Sequence, residues 1–279
     1  MARFRYVVCD VFTDETLAGN QLAVFTDARG IPEEQLQPLA REMNFSETTF
    51  VYPPLDDGHV FMRIFTPTAE IPFAGHPTLG TAFVLAGPLQ LLEIRIETKQ
   101  GTVPVRVERE GPRIVFGRME QPLPTIAPFE QADELQSALG VESQLPVEVY
   151  DNGLAHVYVA LRSPEEVAGL EPDFQRLAKL GAYGINCFAG SGLTWKTRMF
   201  GIGLGMAEDP ATGSAAGPLA LHLARHGRIE FGDEIEISQG AEIGRPSTLY
   251  ARADGTADAV ERIEVGGSAM IVARGEFSI

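Results

Sequence analysis

Short runs in which apolar residues alternate with charged or hydroxylated ones dominate the chain. The clearest are Leu92-Glu93-Ile94-Arg95-Ile96-Glu97-Thr98 and Glu234-Ile235-Glu236-Ile237-Ser238, whose period of two predicts strands that each bury one face. Comparable runs predict strands over 4–12, 21–25, 48–52, 60–66, 102–107, 113–119, 155–161, 194–200 and 248–253. Helical patterns are fewer. One has Pro77 at its first positions and Gly87 behind Ala86 as its stop; another runs over 214–226 and stops at Gly227. Both are apolar nearly all round. A surface helix shows a polar face, so these two are expected inside the sheets. Amphipathic outer helices are predicted over 33–43, 133–139 and 173–180, with Pro38 implying a kink or a later start in the first. The stretch 121–129, with Pro122, Pro124 and Pro128, reads as a linker between domains.

The two apolar helices belong to a strand, loop and helix unit that occurs twice. Arg63-Ile64-Phe65 leads through Ile71-Pro72-Phe73-Ala74 to Gly75-His76, and Arg198-Met199-Phe200 leads through Glu208-Asp209-Pro210-Ala211-Thr212 to Gly213-Ser214. The Arg-x-Phe strands start 135 residues apart and the helix starts 138 apart, about half of the 279 residues. Two related halves, each offering a helix N-terminus behind a glycine, would most simply pack face to face around one small acidic ligand.

Composition narrows the partners. Lys and Arg number 22 against 38 Asp and Glu, a net charge of −16 with no basic run, so nucleic acid and anionic membrane are excluded as expected partners. The apolar stretch 6–12 is broken by Asp10, and no run approaches the roughly 20 apolar residues of a spanning helix. A cytoplasmic protein is expected. Cys9 and Cys187 have neither metal nor redox spacing and read as apolar strand positions, as a reducing compartment allows.

Three titratable residues stand where chemistry is possible. Asp209, four residues before Gly213, can cap backbone amides or meet a ligand. Glu47 lies at a helix-to-strand junction in Asn44-Phe45-Ser46-Glu47-Thr48-Thr49, as a solvated turn residue or a base. His76 can cap its helix or donate to a ligand. Together Glu47, His76 and Asp209 can move protons at one carbon, while Gly75, Gly213 and Ser214 supply amides and a hydroxyl suited to a carboxylate. His222 and His226 have the i, i+4 spacing of metal ligands, but the sequence offers no third ligand, and no metal is expected. Gly201-Ile202-Gly203-Leu204-Gly205 lacks the last glycine of a dinucleotide loop and reads as a mobile loop beside the site. Cys187 has no nearby histidine and reads as core rather than nucleophile.

The run 40–50, Pro72-Phe73-Ala74-Gly75-His76-Pro77 and Glu208-Asp209-Pro210-Ala211-Thr212-Gly213-Ser214 resemble the PhzF family of phenazine biosynthesis, a likeness that continues through Gly19-Asn20, Asn186-Cys187-Phe188-Ala189-Gly190 and Gly244-Arg245-Pro246-Ser247. The resemblance implies an α+β, diaminopimelate epimerase-like fold of two pseudo-symmetric β-barrel domains, each enclosing a central helix. It places them at 1–120 and 121–279, with the last strand free to return to the first barrel. It also implies a cofactor-free homodimer that isomerises trans-2,3-dihydro-3-hydroxyanthranilate, with Glu47 as the base at C3. His76 and Asp209 would hold and polarise the substrate, and Gly75, Gly213 and Ser214 would anchor its carboxylate. An isomerase or epimerase of another small carboxylic acid, or a non-enzymatic carboxylate binder, are the alternatives. The epimerases of this fold use paired cysteines; neither cysteine here falls at those places. The glycines at 201–205 depart from the family pattern, where bulkier residues are expected.

Overall fold

The structure is a computed structural model that describes residues 2–279. The chain divides into two units, one running to Glu120 and resuming over Gly266–Ile279, the other comprising Gln121–Val265.

In the first unit the strands are β1 (Arg3–Val11), β2 (Asn20–Phe25), β3 (Glu47–Tyr52), β4 (Val60–Phe65), the two-residue β5 (Glu70–Ile71), β6 (Glu93–Thr98), β7 (Gly101–Glu110) and β8 (Arg113–Gln121). The chain's last strand, β17 (Ala269–Ser278), returns to pair with β1. The ladder runs β17, β1, β2, β3, β4, β6, β7, β8, antiparallel throughout except where β2 meets β3 and β4 meets β6. Helix α1 (Glu33–Met43) covers the outer face, where Leu36 and Leu39 meet Phe25, Phe50 and Phe65. Helix α2 (Gly75–Leu89) is packed on strands from both ends of the ladder, β17 and β1 as well as β6 and β7, so the sheet wraps it. That surrounding explains its apolar circumference. Gly80 sits where an added Cβ would lie 2.7 Å from Leu22 and Val11, a measure of how closely α2 meets β1 and β2.

The second unit repeats this plan. Its strands are β9 (Thr125–Pro128), β10 (Glu148–Asp151), β11 (Ala155–Ala160), β12 (Gly184–Ser191), β13 (Thr194–Phe200), β14 (Glu234–Gln239) and β15 (Ser247–Gly255), with β16 (Val260–Gly267) leading back to the first unit. From β9 to β15 the ladder is antiparallel except at β11/β12 and β13/β14. These are the same two places as in the first unit. Outside lie α3 (Ala132–Leu139) and the short α4 (Pro164–Ala168) and α5 (Phe174–Leu177), over a core that includes Leu135, Val157, Ile185 and Phe200. Helix α6 (Gly213–Arg225) is buried at every residue but Arg225.

The Arg-x-Phe repeat has a common job. Arg63 grips Glu70 through Nε and Nη2 at 2.7 and 2.9 Å, and its guanidinium lies over Phe65. Arg198 grips Glu208 in the same fork at 2.9 and 2.8 Å and lies over Phe200. Each fork ties the strand to the segment entering the buried helix.

Several sequence expectations need correction. The stretch 121–129 is no free linker: Gln121 ends β8 and Thr125–Pro128 pair with β10, with Pro128 at the end of the ladder where its missing N–H costs nothing. Pro38 does not delay α1, which starts at Glu33. Gly87 does not stop α2, which continues to Leu89 and ends at a left-handed Gln90. The residue before a proline suffers a Cβ clash in helical conformation, and Gly87 has no Cβ to clash with Pro88. The helix expected over 173–180 is confined to Phe174–Leu177, capped by Asp173. Gly201 and Gly205 flank a 3-10 turn over Ile202–Leu204, bonded from Leu204 N to Gly201 O and from Gly205 N to Ile202 O.

Candidate functional site

In the first unit Glu47 opens β3, opposite Leu22 of β2, and His76 is the second residue of α2. Both are buried, at 8% and 4% exposure, which removes the reading of Glu47 as a solvated turn residue. His76 does not cap its helix, whose N-cap is Ala74. Its ring instead spans two partners, with Nε2 3.2 Å from Glu47 Oε2 and Nδ1 3.2 Å from the Asn20 amide nitrogen. Burial pushes the His76 pKa down to about 3, against an opposing hydrogen bond with the Gln21 backbone, so the ring is neutral at pH 7. Glu47 therefore faces a neutral imidazole, not a cation. Gly75 begins α2, and since Pro77 has no N–H, the amides of Gly75 and His76 head the helix.

In the second unit Asp209 occupies the segment entering α6, bridged to Met199 of β13 with its N–H donating to the Met199 carbonyl at 3.0 Å. It is 4% exposed. Its Oδ2 accepts from Thr212 Oγ1 at 2.7 Å, and Thr212 is the N-cap of α6, so the carboxylate holds the cap residue. Gln239 of β14 fixes the segment from behind, donating to the Asp209 carbonyl and to Thr212 Oγ1 at 2.8 and 2.9 Å. Gly213 and Ser214 form the first turn. Side chains from two strands and from the turn after β10 hold that first turn by three successive carbonyls. Gln121 donates to Gly213 O, Asn152 to Ser214 O and Tyr158 to Ala215 O, at 2.8, 2.9 and 2.7 Å. Pro218 has no N–H to offer the Ser214 carbonyl four residues back, and Asn152 supplies the missing donor.

The structure thus brings Glu47 and His76 into contact in one unit and places Asp209, Gly213 and Ser214 on one helix entrance in the other. Register shows that the two entrances carry different groups at matching positions. Glu47 precedes Thr48, which faces Phe65; the matching strand has Ile185 facing Phe200, preceded by Gly184. Ile71, four residues before Gly75, pairs with Ile64, where Asp209, four before Gly213, pairs with Met199. Each half has a carboxylate where the other has none.

Sequence reasoning missed Asn20, Asn152, His156 and Gln239 as parts of these entrances. For Asn152 a signal existed, since Pro218 inside a buried helix announces an unserved carbonyl. It also missed a third partner for His222 and His226. Glu148 of β10 joins them, with His222 Nδ1 and His226 Nε2 at 3.2 and 3.0 Å from its Oε2. Arg225 Nη1 lies 3.2 Å from the same oxygen and Tyr150 donates to it. Burial acts upward on this carboxyl, but hydrogen bonds from both histidines and Tyr150 and the charge of Arg225 bring it down to about 2. Its countercharge is the guanidinium. Cys9 and Cys187 are fully buried, and burial pushes both thiols well above their usual range.

A family model described as phenazine biosynthesis-like protein, PhzC-PhzF, matches residues 9–275. A trans-2,3-dihydro-3-hydroxyanthranilate isomerase of Pseudomonas aeruginosa is 49% identical over 272 residues, 97% of this chain and 98% of that protein. The crystal structure of a Bacillus anthracis phenazine biosynthesis protein of the PhzF family matches with a TM-score of 0.86 at 25% identity, over 100% of both chains. A hydroxyproline epimerase from Agrobacterium vitis shares the fold, with a TM-score of 0.66 at 11% identity over 99% of this chain and 91% of its own.

Proposed function

This chain belongs to the PhzC-PhzF family of phenazine biosynthesis-like proteins, and on that premise we propose that it is an isomerase converting trans-2,3-dihydro-3-hydroxyanthranilate to an aminoketone acid in phenazine biosynthesis. The observation that carries the reading is the 49% identity, over 97% of the chain, to a protein of that activity. Substrate and product contain the same atoms, so the chemistry is movement of protons and double bonds, and a positioned carboxylate is sufficient for it.

Glu47 is the base. It takes the proton from C3, and a proton returns elsewhere on the conjugated system, leaving an enol that tautomerises to the ketone. The His76 ring supports the assignment, because it lies 3.2 Å from Glu47 Oε2 and is neutral, so it brings no positive charge that would lower the basicity of the carboxylate. His76 and Asp209 hold and polarise the substrate, Asp209 at its amino group, while Gly75, Gly213 and Ser214 receive its carboxylate at the helix entrances. The buried, protonated thiols of Cys9 and Cys187 speak against thiol-based racemisation. The enzyme acts as a cytoplasmic homodimer without metal or organic cofactor, which sedimentation velocity at assay concentration and turnover in the presence of chelator test.

Turnover in deuterated water, followed by ultraviolet absorbance and proton NMR beside Glu47→Gln, tests the whole reading. The unaltered protein should consume substrate with deuterium uptake, and the folded variant should be slower by about 10²–10⁴-fold. Undiminished turnover by Glu47→Gln removes Glu47 as the base. No turnover by folded, unaltered protein moves the substrate to another small carboxylic acid, or, if none takes up deuterium, to carboxylate binding alone.

A further inference from the structure

His156 of β11 is wholly buried and lies behind the first turn of α6, with Nε2 2.9 Å from Ser214 Oγ. Its other nitrogen, Nδ1, lies 3.3 Å from Asn186 Nδ2. The same amide nitrogen donates to the Gly184 carbonyl at 2.9 Å. A carbonyl can only accept, so the Asn186 nitrogen and not its oxygen faces this side, and His156 Nδ1 must accept the second N–H. Burial pushes the ring's pKa down to about 3, so at pH 7 it holds one proton. That proton is on Nε2 and is directed at Ser214.

We propose that His156 is a positioning residue that fills an acceptor site of Ser214 Oγ, turning the Ser214 hydroxyl into a hydrogen-bond donor toward an anionic carboxylate. With the other ring tautomer the hydroxyl would have to give its proton to His156 and present only lone pairs to the ligand. The device depends on Gly184, since a Cβ there would lie 2.5 Å from His156 Nδ1. Gly184 stands at the strand position that Glu47 holds in the first unit. Omission of a side chain at that position is what admits the ring. The inference rests on the reading of Ser214 as a ligand contact, and extends it to the group that sets the direction of its proton.

Binding tests it apart from turnover. In the Glu47→Gln background, calorimetry with 3-hydroxyanthranilate and its carboxamide should show the carboxylate preferred, and His156→Leu should weaken carboxylate binding by about 10- to 100-fold, as loss of a hydrogen bond to a charged group does. His156→Gln, which keeps an N–H near the place of Nε2, should stay within about threefold of the parent, and Ser214→Ala should abolish the effect of His156→Leu. In the enzyme with Glu47 intact, the His156→Leu loss should appear in KM with kcat nearly unchanged. The ¹⁵N shifts of His156 should show a protonated Nε2 and a bare Nδ1. Any of four results overturns the proposal: the reverse tautomer, equal weakening by folded Leu and Gln variants, undiminished binding by His156→Leu, or no binding of 3-hydroxyanthranilate to the parent. Failure of the isomerase reading appears instead as absent turnover with these binding differences intact.

Discussion

Buried histidines give the two helix entrances a shared dependence on pH. His76 and His156 titrate near 3 in the fold, against about 6.5 for an unfolded histidine. Between those values the unfolded chain binds more protons than the native one, so stability is complete above about pH 6.5 and declines as pH falls toward 3. At pH 5 each histidine should have withdrawn roughly 2 kcal/mol relative to pH 7. Urea unfolding at the two values checks this, and His156→Gln should remove part of the difference, with His76 and the buried His222, whose pKa burial also lowers, keeping the rest; equal stability at pH 5 and 7 would contradict the buried neutral rings. The two histidines were not equally visible in the sequence. His76 stands in a glycine-flanked helix start, where a polar residue invites a functional reading. His156 sits in Ala155-His156-Val157, an ordinary strand alternation, and its partners Asn186 and Ser214 are 30 and 58 residues away.

At the scale of elements, the buried helices were legible because they are apolar nearly all round, and the outer helix at Glu33–Met43 because its apolar stripe is clear. Strands with strict alternation were legible for the same reason. Those missed were β5, β9, β10, β12, β16 and β17, which are short, hold proline or glycine, or lack alternation; their pairing is decided by partners far along the chain, which local pattern does not encode. Close approach between elements is equally silent in sequence, yet it has measurable consequences. Gly80 is the contact point of α2 with β1 and β2, where a methyl would meet Leu22 and Val11 at 2.7 Å and Cys9 at 3.1 Å. Gly80→Ala gains up to about 1 kcal/mol of helix propensity. Overpacking costs about 1–3 kcal/mol, so a net loss in urea-derived stability is expected. A gain would mean that the sheet yields to the helix.

At the scale of the whole molecule, the duplication read from Arg-x-Phe and the helix starts extends to the sheet ladders, which place their parallel pairs alike in both units. The units differ in how the chain builds them. The second is continuous over Gln121–Val265, whereas the first needs the segment from Gly266 onward. That segment's β17 pairs along the whole of β1, from Arg3 opposite Ser278 to Val11 opposite Ala269, and Phe277 packs on Tyr6 and Phe25 at ring distances of 5.3 and 5.9 Å. It also touches α2, which carries His76. A chain ending at Gly267 would leave β1 as an unpaired edge and uncover part of that aromatic cluster. The ladder from β9 to β15 has its partners within its own unit and loses none of them. Hydrogen exchange on the truncated chain should therefore show protection falling first in β1, β2 and α2, with β11 to β13 retained and turnover lost through the Glu47 and His76 entrance. Equal loss in both units would mean that they unfold as one cooperative body, and the return strand would then stabilise the whole chain and not the first unit alone.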